Sequence, residues 1–215
     1  MTFWYTVPVL PARSARNAAS KPHHPHRIFE SFMSSESLDS WQKLDSETLA
    51  TNPYWSYRRD RFRTVGGNIG MYYYVQTPGS VLVVPLMDEK TVLMVRQYRY
   101  LRDCESLELP GGGRKIGQST LAGAQNELRE ETGFRAALWQ EVGGFNPCKG
   151  LTDEWCTVFV CRQLQSDPLQ GEDPFEVTAA VPVAIADIPS RVADGEIWCG
   201  MTLAAWFLAA RTLTN

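Results

Sequence analysis

Three glutamates, Glu127, Glu130 and Glu131, stand within five residues of the stretch QNELREETGF (125–134). Residues three and four apart on a helix are neighbours, so Glu127 faces both of the others. Like charges at that spacing destabilise a helix by roughly 0.2–0.5 kcal/mol per pair. Either this face is simply solvated, or a hard divalent cation takes the oxygens and cancels the repulsion. Mg2+ suits the second case, because it prefers octahedral oxygen coordination from a few carboxylates, retained waters and substrate phosphates. Just upstream, PGGGRKIG (110–117) supplies adjacent glycines that let backbone groups approach a metal or phosphate closely. It is not a P-loop, since no G-K-[ST] follows at the required spacing.

The elements that position these residues read as follows. A helix runs from about Ser119 to Thr132, capped by Ser119 or Thr120 and ended by Gly133. Leu121, Ala124 and Leu128 form its apolar stripe, leaving the glutamates on another face. From about residue 53 the pattern is strand-like: YWSYRRDRFRT alternates, GMYYYVQT is aromatic, and SVLVVPLMD with TVLMVRQYRY reads as two strands joined at 88–90. Further strands are expected at 137–144, 154–164 and 175–183, a short helix at 185–194 and a last helix at 200–212. Strands on both sides of a central helix point to an α+β chain with α/β/α layering.

Composition narrows the class. The 215 residues are 44% apolar and 21% charged with a net charge of −3, so no overall basic excess supports nucleic-acid binding. The longest apolar candidate, MTLAAWFLAARTL (201–213), is too short to span a bilayer, which predicts no membrane partner. Five cysteines without a C-x-x-C pair favour a reducing compartment and a cytoplasmic protein. Cys148, Cys156 and Cys161 read as buried thiols. All three histidines lie in KPHHPH (21–26), which argues against a Ser-His or Cys-His nucleophile in the folded domain. Residues 1–29 hold no Asp or Glu and four Arg/Lys, which fits a targeting peptide, a flexible tail or a start codon upstream of Met33.

Taken together, Gly112, Gln118 and the run Asn126-Glu127-Leu128-Arg129-Glu130-Glu131-Thr132-Gly133-Phe134 resemble the box of the Nudix hydrolases, G-x5-E-x7-R-E-U-x-E-E-x-G-U. Seven of its nine defined positions are met. Gln118 stands where the family has Glu and Asn126 where it has Arg, two side chains that pair to brace the loop there. An amide–amide hydrogen bond is the expected substitute. VRQYRY, LELPGG, PCKGLTDE and GEIWCGMTLAA are similar to the ADP-ribose pyrophosphatase and nucleoside-diphosphate-sugar hydrolase branch.

The resemblance implies a Nudix α/β/α sandwich with a mixed sheet over 80–215. Before it come an N-terminal antiparallel β extension over 46–79, swapped in a homodimer, and a flexible tail over 1–45. It implies a small-molecule substrate and Mg2+, or Mn2+, held by the Gly111 carbonyl, Glu127 and Glu131 with Glu130 assisting. Arg99, Glu108 and Gly112 fall at substrate or metal-cluster positions, and Pro147 lies near a proline typical of the branch. A late-loop acid, Glu172 or Asp173, would act as general base. From the residues themselves, Arg96 and Arg99 could grip a diphosphate or be plainly solvated. Trp41 and Trp55 could stack on a base or pack in a core or interface. The expected reaction is hydrolysis of ADP-ribose to AMP and ribose 5-phosphate. The alternatives are GDP-mannose or another nucleotide sugar, or a catalytically silent nucleotide-sugar-binding module.

Overall fold

The computed structural model describes residues 40–168 and 178–213, and the expected bases Glu172 and Asp173 lie outside them. The first elements among the described residues are three antiparallel strands, β1 (Gln42–Thr51), β2 (Ser56–Arg63) and β3 (Ile69–Gln76), paired in that order. β1 begins at Gln42, ahead of the residue 46 expected for this extension.

Two further sheets form the body. One has the order β7 (Gly111–Gly113), β4 (Ser80–Pro85), β9 (Cys156–Ser166), β8 (Phe134–Phe145), and the other β10 (Thr178–Ala184), β5 (Thr91–Arg99), β6 (Cys104–Glu108). β4 is buried at all six positions and runs parallel to β9. That explains its unbroken SVLVVP run, since a strand covered on both faces needs no alternation.

Strand alternation splits this run between two cores. Leu82 and Val84 face a cluster with Val158, Ile197, Ala205 and Ala209, whereas Val81 and Val83 face Ala124, Leu128 and Phe159. Helix α1 (Thr120–Thr132) covers the second cluster. Helix α3 (Gly200–Leu213) covers the first through Thr202, Ala205 and Ala209, after a short α2 (Ile188–Ala193). The architecture is the expected α+β, α/β/α arrangement with a mixed sheet.

Three local readings change. The glycine run is itself a strand: Gly111, Gly112 and Gly113 pair with Leu82, Val81 and Ser80. Leu121 is 39% exposed, and α1 buries Gly123, Ala124, Leu128 and Thr132 instead. Cys148 is exposed, while Cys156 and Cys161 are buried. Burial pushes the Cys156 thiol up to about 11 and the Cys161 thiol up to about 12. Among the described residues no helix is long and apolar enough to cross a membrane.

Candidate active site

The sequence sets the ends of α1. Ser119 adopts an extended conformation and its side chain accepts the Ala122 N–H at 3.2 Å, while Gly133 closes the helix at φ 70°. Because Ala124 and Leu128 point into the core, Glu127 and Glu131, one turn apart, lie at its margin and are half-buried. Glu130 is exposed.

β7 lies against these two carboxylates. The Gly111 N–H donates to Glu131 Oε2 at 2.8 Å. A Cβ on Gly112 would sit 2.8 Å from Glu127 Oε2, and one on Gly111 would sit 2.2 Å from the Val81 carbonyl oxygen. Gly111 also has φ 155°. Only glycines let the backbone reach this depth. Gly112→Ala should therefore push Glu127 aside and lower turnover by about 10-fold or more, a consequence of misplacing a reacting group by under 1 Å. Steady-state kinetics beside a thermal melt would check it: wild-type kcat in the variant would contradict this packing.

β5 and β6 supply the next pair. Arg99 Nε donates to Glu108 Oε1 at 2.8 Å, and Nη2 bonds the other oxygen to make a bidentate contact. Glu108 is 3% exposed. Burial pushes its carboxyl up, but the Arg99 hydrogen bonds and charge outweigh this and hold it below the ordinary value. The Arg99 guanidinium is raised in turn by its bonds to Glu108, with a smaller contribution from the charge of Glu131.

Arg96 does not join them. Regular pairing along β5 and β6 puts residues 95, 97 and 99 on one face and 96 and 98 on the other. Arg96 lies near Glu105 at 3.5 Å and Glu196 at 3.4 Å, and Glu196 also pairs with Arg191 at 2.7 Å. Trp55, in the β1–β2 turn, is 41% exposed, and half-buried Pro147 follows β8. Neither makes the contacts that join β7 to α1.

The expected Gln118–Asn126 bond is replaced by another. Gln118 Oε1 accepts the Lys115 N–H at 3.0 Å, and Asn126 is exposed. Two side chains were missed in the sequence. Thr202, buried in α3, accepts the Leu109 N–H at 3.1 Å and fixes the end of β6. Arg114 bonds the carbonyls of Gln118 and Pro78. A cation directly after three glycines was the only signal for it.

Among the described residues, no three Asp, Glu, His or Cys side chains converge as a ready-made metal cage. The donor set still fits a hard cation, because Mg2+ is usually held by one or two carboxylates with waters and phosphates. Glu127, Glu131 and the Gly111 backbone offer hard oxygens on adjacent elements.

A family model described as the NUDIX domain matches residues 76–197. An ADP-ribose pyrophosphatase of Mycobacterium tuberculosis is 31% identical over 178 residues, covering 81% of this chain and 85% of that protein. An ADP-ribose pyrophosphatase of Bacillus subtilis is 30% identical over 129 residues, covering 60% and 70%. A solved structure described as an ADP compounds hydrolase superposes with a TM-score of 0.72 at 23% identity, over 83% of this chain and 97% of that one. The box, the layers that carry it and the family match agree: this chain belongs to the NUDIX domain family.

Proposed function

We propose that this chain is a Mg2+-dependent pyrophosphohydrolase that cleaves ADP-ribose to AMP and ribose 5-phosphate. The observation that carries this reading is the seating of β7 on the glutamate helix, with Gly111 bonded to Glu131 and Gly112 against Glu127. The two ADP-ribose pyrophosphatases support the substrate.

Glu127, Glu131 and the Gly111 carbonyl would hold Mg2+, or Mn2+, with Glu130 assisting from the exposed side of α1. When bound, the cation neutralises the diphosphate, lowers the pKa of a water and stabilises in-line displacement at phosphorus. Glu108 orients Arg99, whose partly exposed guanidinium can turn a planar pair of donors to a phosphate. Glu172 or Asp173 would accept the proton of the attacking water. Nucleotide products resolved by chromatography test the substrate: AMP from ADP-ribose, with slower cleavage of GDP-mannose and NADH, supports it. Preferential GDP-mannose cleavage would move the specificity.

Gln118 and Asn126 motivate a second reading, a silent module that binds a nucleotide sugar. It requires ligand binding with no metal-dependent turnover on any of these compounds.

The extension supports a homodimer. Strand pairing places Ile69, Met71 and Tyr73 on one face, respectively 58%, 50% and 46% exposed. Neighbouring apolar side chains exposed on one strand face support an interface there. Met71→Glu with Tyr73→Glu should reduce the mass by light scattering to that of the 24.2 kDa chain. Wild-type protein that is itself monomeric would refute the dimer. A cytoplasmic location fits the free cysteines.

A further inference from the structure

We propose that Arg114 is a positioning residue that sets the height of the glycine strand over the glutamate helix, a role that rests on the metal-dependent reading above. Its own N–H donates to the Gly79 carbonyl at 2.9 Å. Its guanidinium then spreads: Nη1 donates to the Gln118 carbonyl at 2.6 Å and Nη2 to the Pro78 carbonyl. One side chain thus joins the chain entering β4, the end of the glycine loop and, through its stem, the start of α1.

The stem explains a residue that is otherwise out of place. Gly123 lies within α1, where glycine is a poorer helix former than alanine. A Cβ there would meet Arg114 Cγ at 3.1 Å. On the opposite side, a Cβ on Gly79, whose φ is 89°, would meet Nη2 at 3.2 Å and the Trp155 carbonyl oxygen at 2.8 Å. Two glycines therefore flank the path of this arginine.

The bonding is unusual for a half-buried cation. Its guanidinium donates to the Gln118 and Pro78 carbonyls, its Nε is buried without an acceptor, and among the described residues no carboxylate forms a salt bridge with it. Gln118 contributes its carbonyl to Arg114 while its side chain closes the loop on Lys115. Asn126, one turn beyond Gly123, is exposed. The geometry assigns to Arg114 the bracing that a carboxylate at 118 and a guanidinium at 126 would otherwise provide. Because Gly111–Gly113 directly precede Arg114, releasing it frees the strand that contacts Glu127 and Glu131. Lysine would not substitute, since a single ammonium lacks the planar spread of donors that reaches two carbonyls at once.

The test uses the full chain with Mn2+ as probe, its free concentration read by electron paramagnetic resonance, alongside kcat and KM for ADP-ribose. Arg114→Ala should weaken Mn2+ binding by about 10-fold, at the low end for residues that orient metal ligands. kcat should fall more than KM rises, and Arg114→Lys should not restore either. Adding Gln118→Glu and Asn126→Arg to the alanine variant should recover most of the Mn2+ affinity. If Arg114→Ala does not fold, Gly123→Ala provides the second arm: it raises helix propensity yet should still weaken Mn2+ binding several-fold by crowding the stem.

Wild-type Mn2+ affinity in Arg114→Ala, full function in Arg114→Lys or no recovery in the triple variant would overturn the assignment. With unfolded Arg114→Ala, unchanged affinity in Gly123→Ala would do so. Failure of the wild type to bind Mn2+ at all would instead overturn the metal reading, and this role with it.

Discussion

Glu131→Gln is expected to lower kcat for ADP-ribose by about 10²–10³-fold, the scale seen when a preorganised electrostatic contact to a developing charge is removed. The substitution isolates the charge. Gly111 donates its N–H to Glu131 Oε2, and a glutamine carbonyl oxygen at the same place can still accept that bond, more weakly because it carries no charge. β7 therefore keeps its seat, and the melting temperature should remain near that of the wild type. What is lost is the charge of one of the carboxylates proposed to hold a divalent cation. A variant that melts normally and turns over at the wild-type rate would remove Glu131 from the chemistry. One that fails to fold would show that its role is structural.

The second large effect concerns Arg99 and Glu108. Glu108 has a side chain only 4% exposed, whereas that of Arg99 is 43% exposed. Arg99→Ala leaves a buried carboxylate without its bidentate partner. Breaking a buried pair in this way typically costs about 3–5 kcal/mol, and the exposure of Arg99 places this case near the lower bound. For a chain of this size that corresponds to a fall in Tm of roughly 6–12 °C.

The pH dependence gives the effect a sign. In the wild type the folded Glu108 carboxyl lies below its ordinary value of 4.5. Its contribution is therefore complete above that value and is lost as the pH falls through the lower folded one. In Arg99→Ala burial acts without its main opponent, so the folded carboxyl moves upward and protonation relieves the strain. The stability gap between variant and wild type should narrow as the pH is lowered from 7 toward 4. A gap that widens over this range would show that Glu108 is stabilised by something other than Arg99.

Much of the site was legible because its signals are local. Ser119 and Gly133 mark the ends of α1 through capping chemistry that needs no tertiary context. The unbroken apolar run of β4 required cover on both faces, and α1 and α3 provide it. The readings that changed depend on what a segment meets in space. Gly111–Gly113 lack side chains, so no periodicity could reveal that they form a strand. Leu121 fitted the stripe by spacing and lies on the same face as Leu128 and Thr132, but it stands in the first turn of α1, where it is left 39% exposed.

Arg96 and Arg99 illustrate a rule that was available and outweighed. Three residues apart along a strand means opposite faces, yet their shared charge invited a shared ligand. The loss of the Glu–Arg pair at 118 and 126 was plain in the sequence, but its replacement was not. Arg114 reaches Pro78, distant in sequence, and only the fold brings them together.

The glycine strand and the glutamate helix are proposed to form a divalent-cation-dependent site for a nucleoside diphosphate. The decisive measurement is phosphatase-coupled phosphate release from ADP-ribose, followed as Mg2+ is titrated from excess chelator to millimolar levels. No release with chelator, a saturable rise with Mg2+ and collapse in Glu131→Gln are expected. Release that is indifferent to Mg2+ and chelator, and unchanged in Glu131→Gln, would contradict this site.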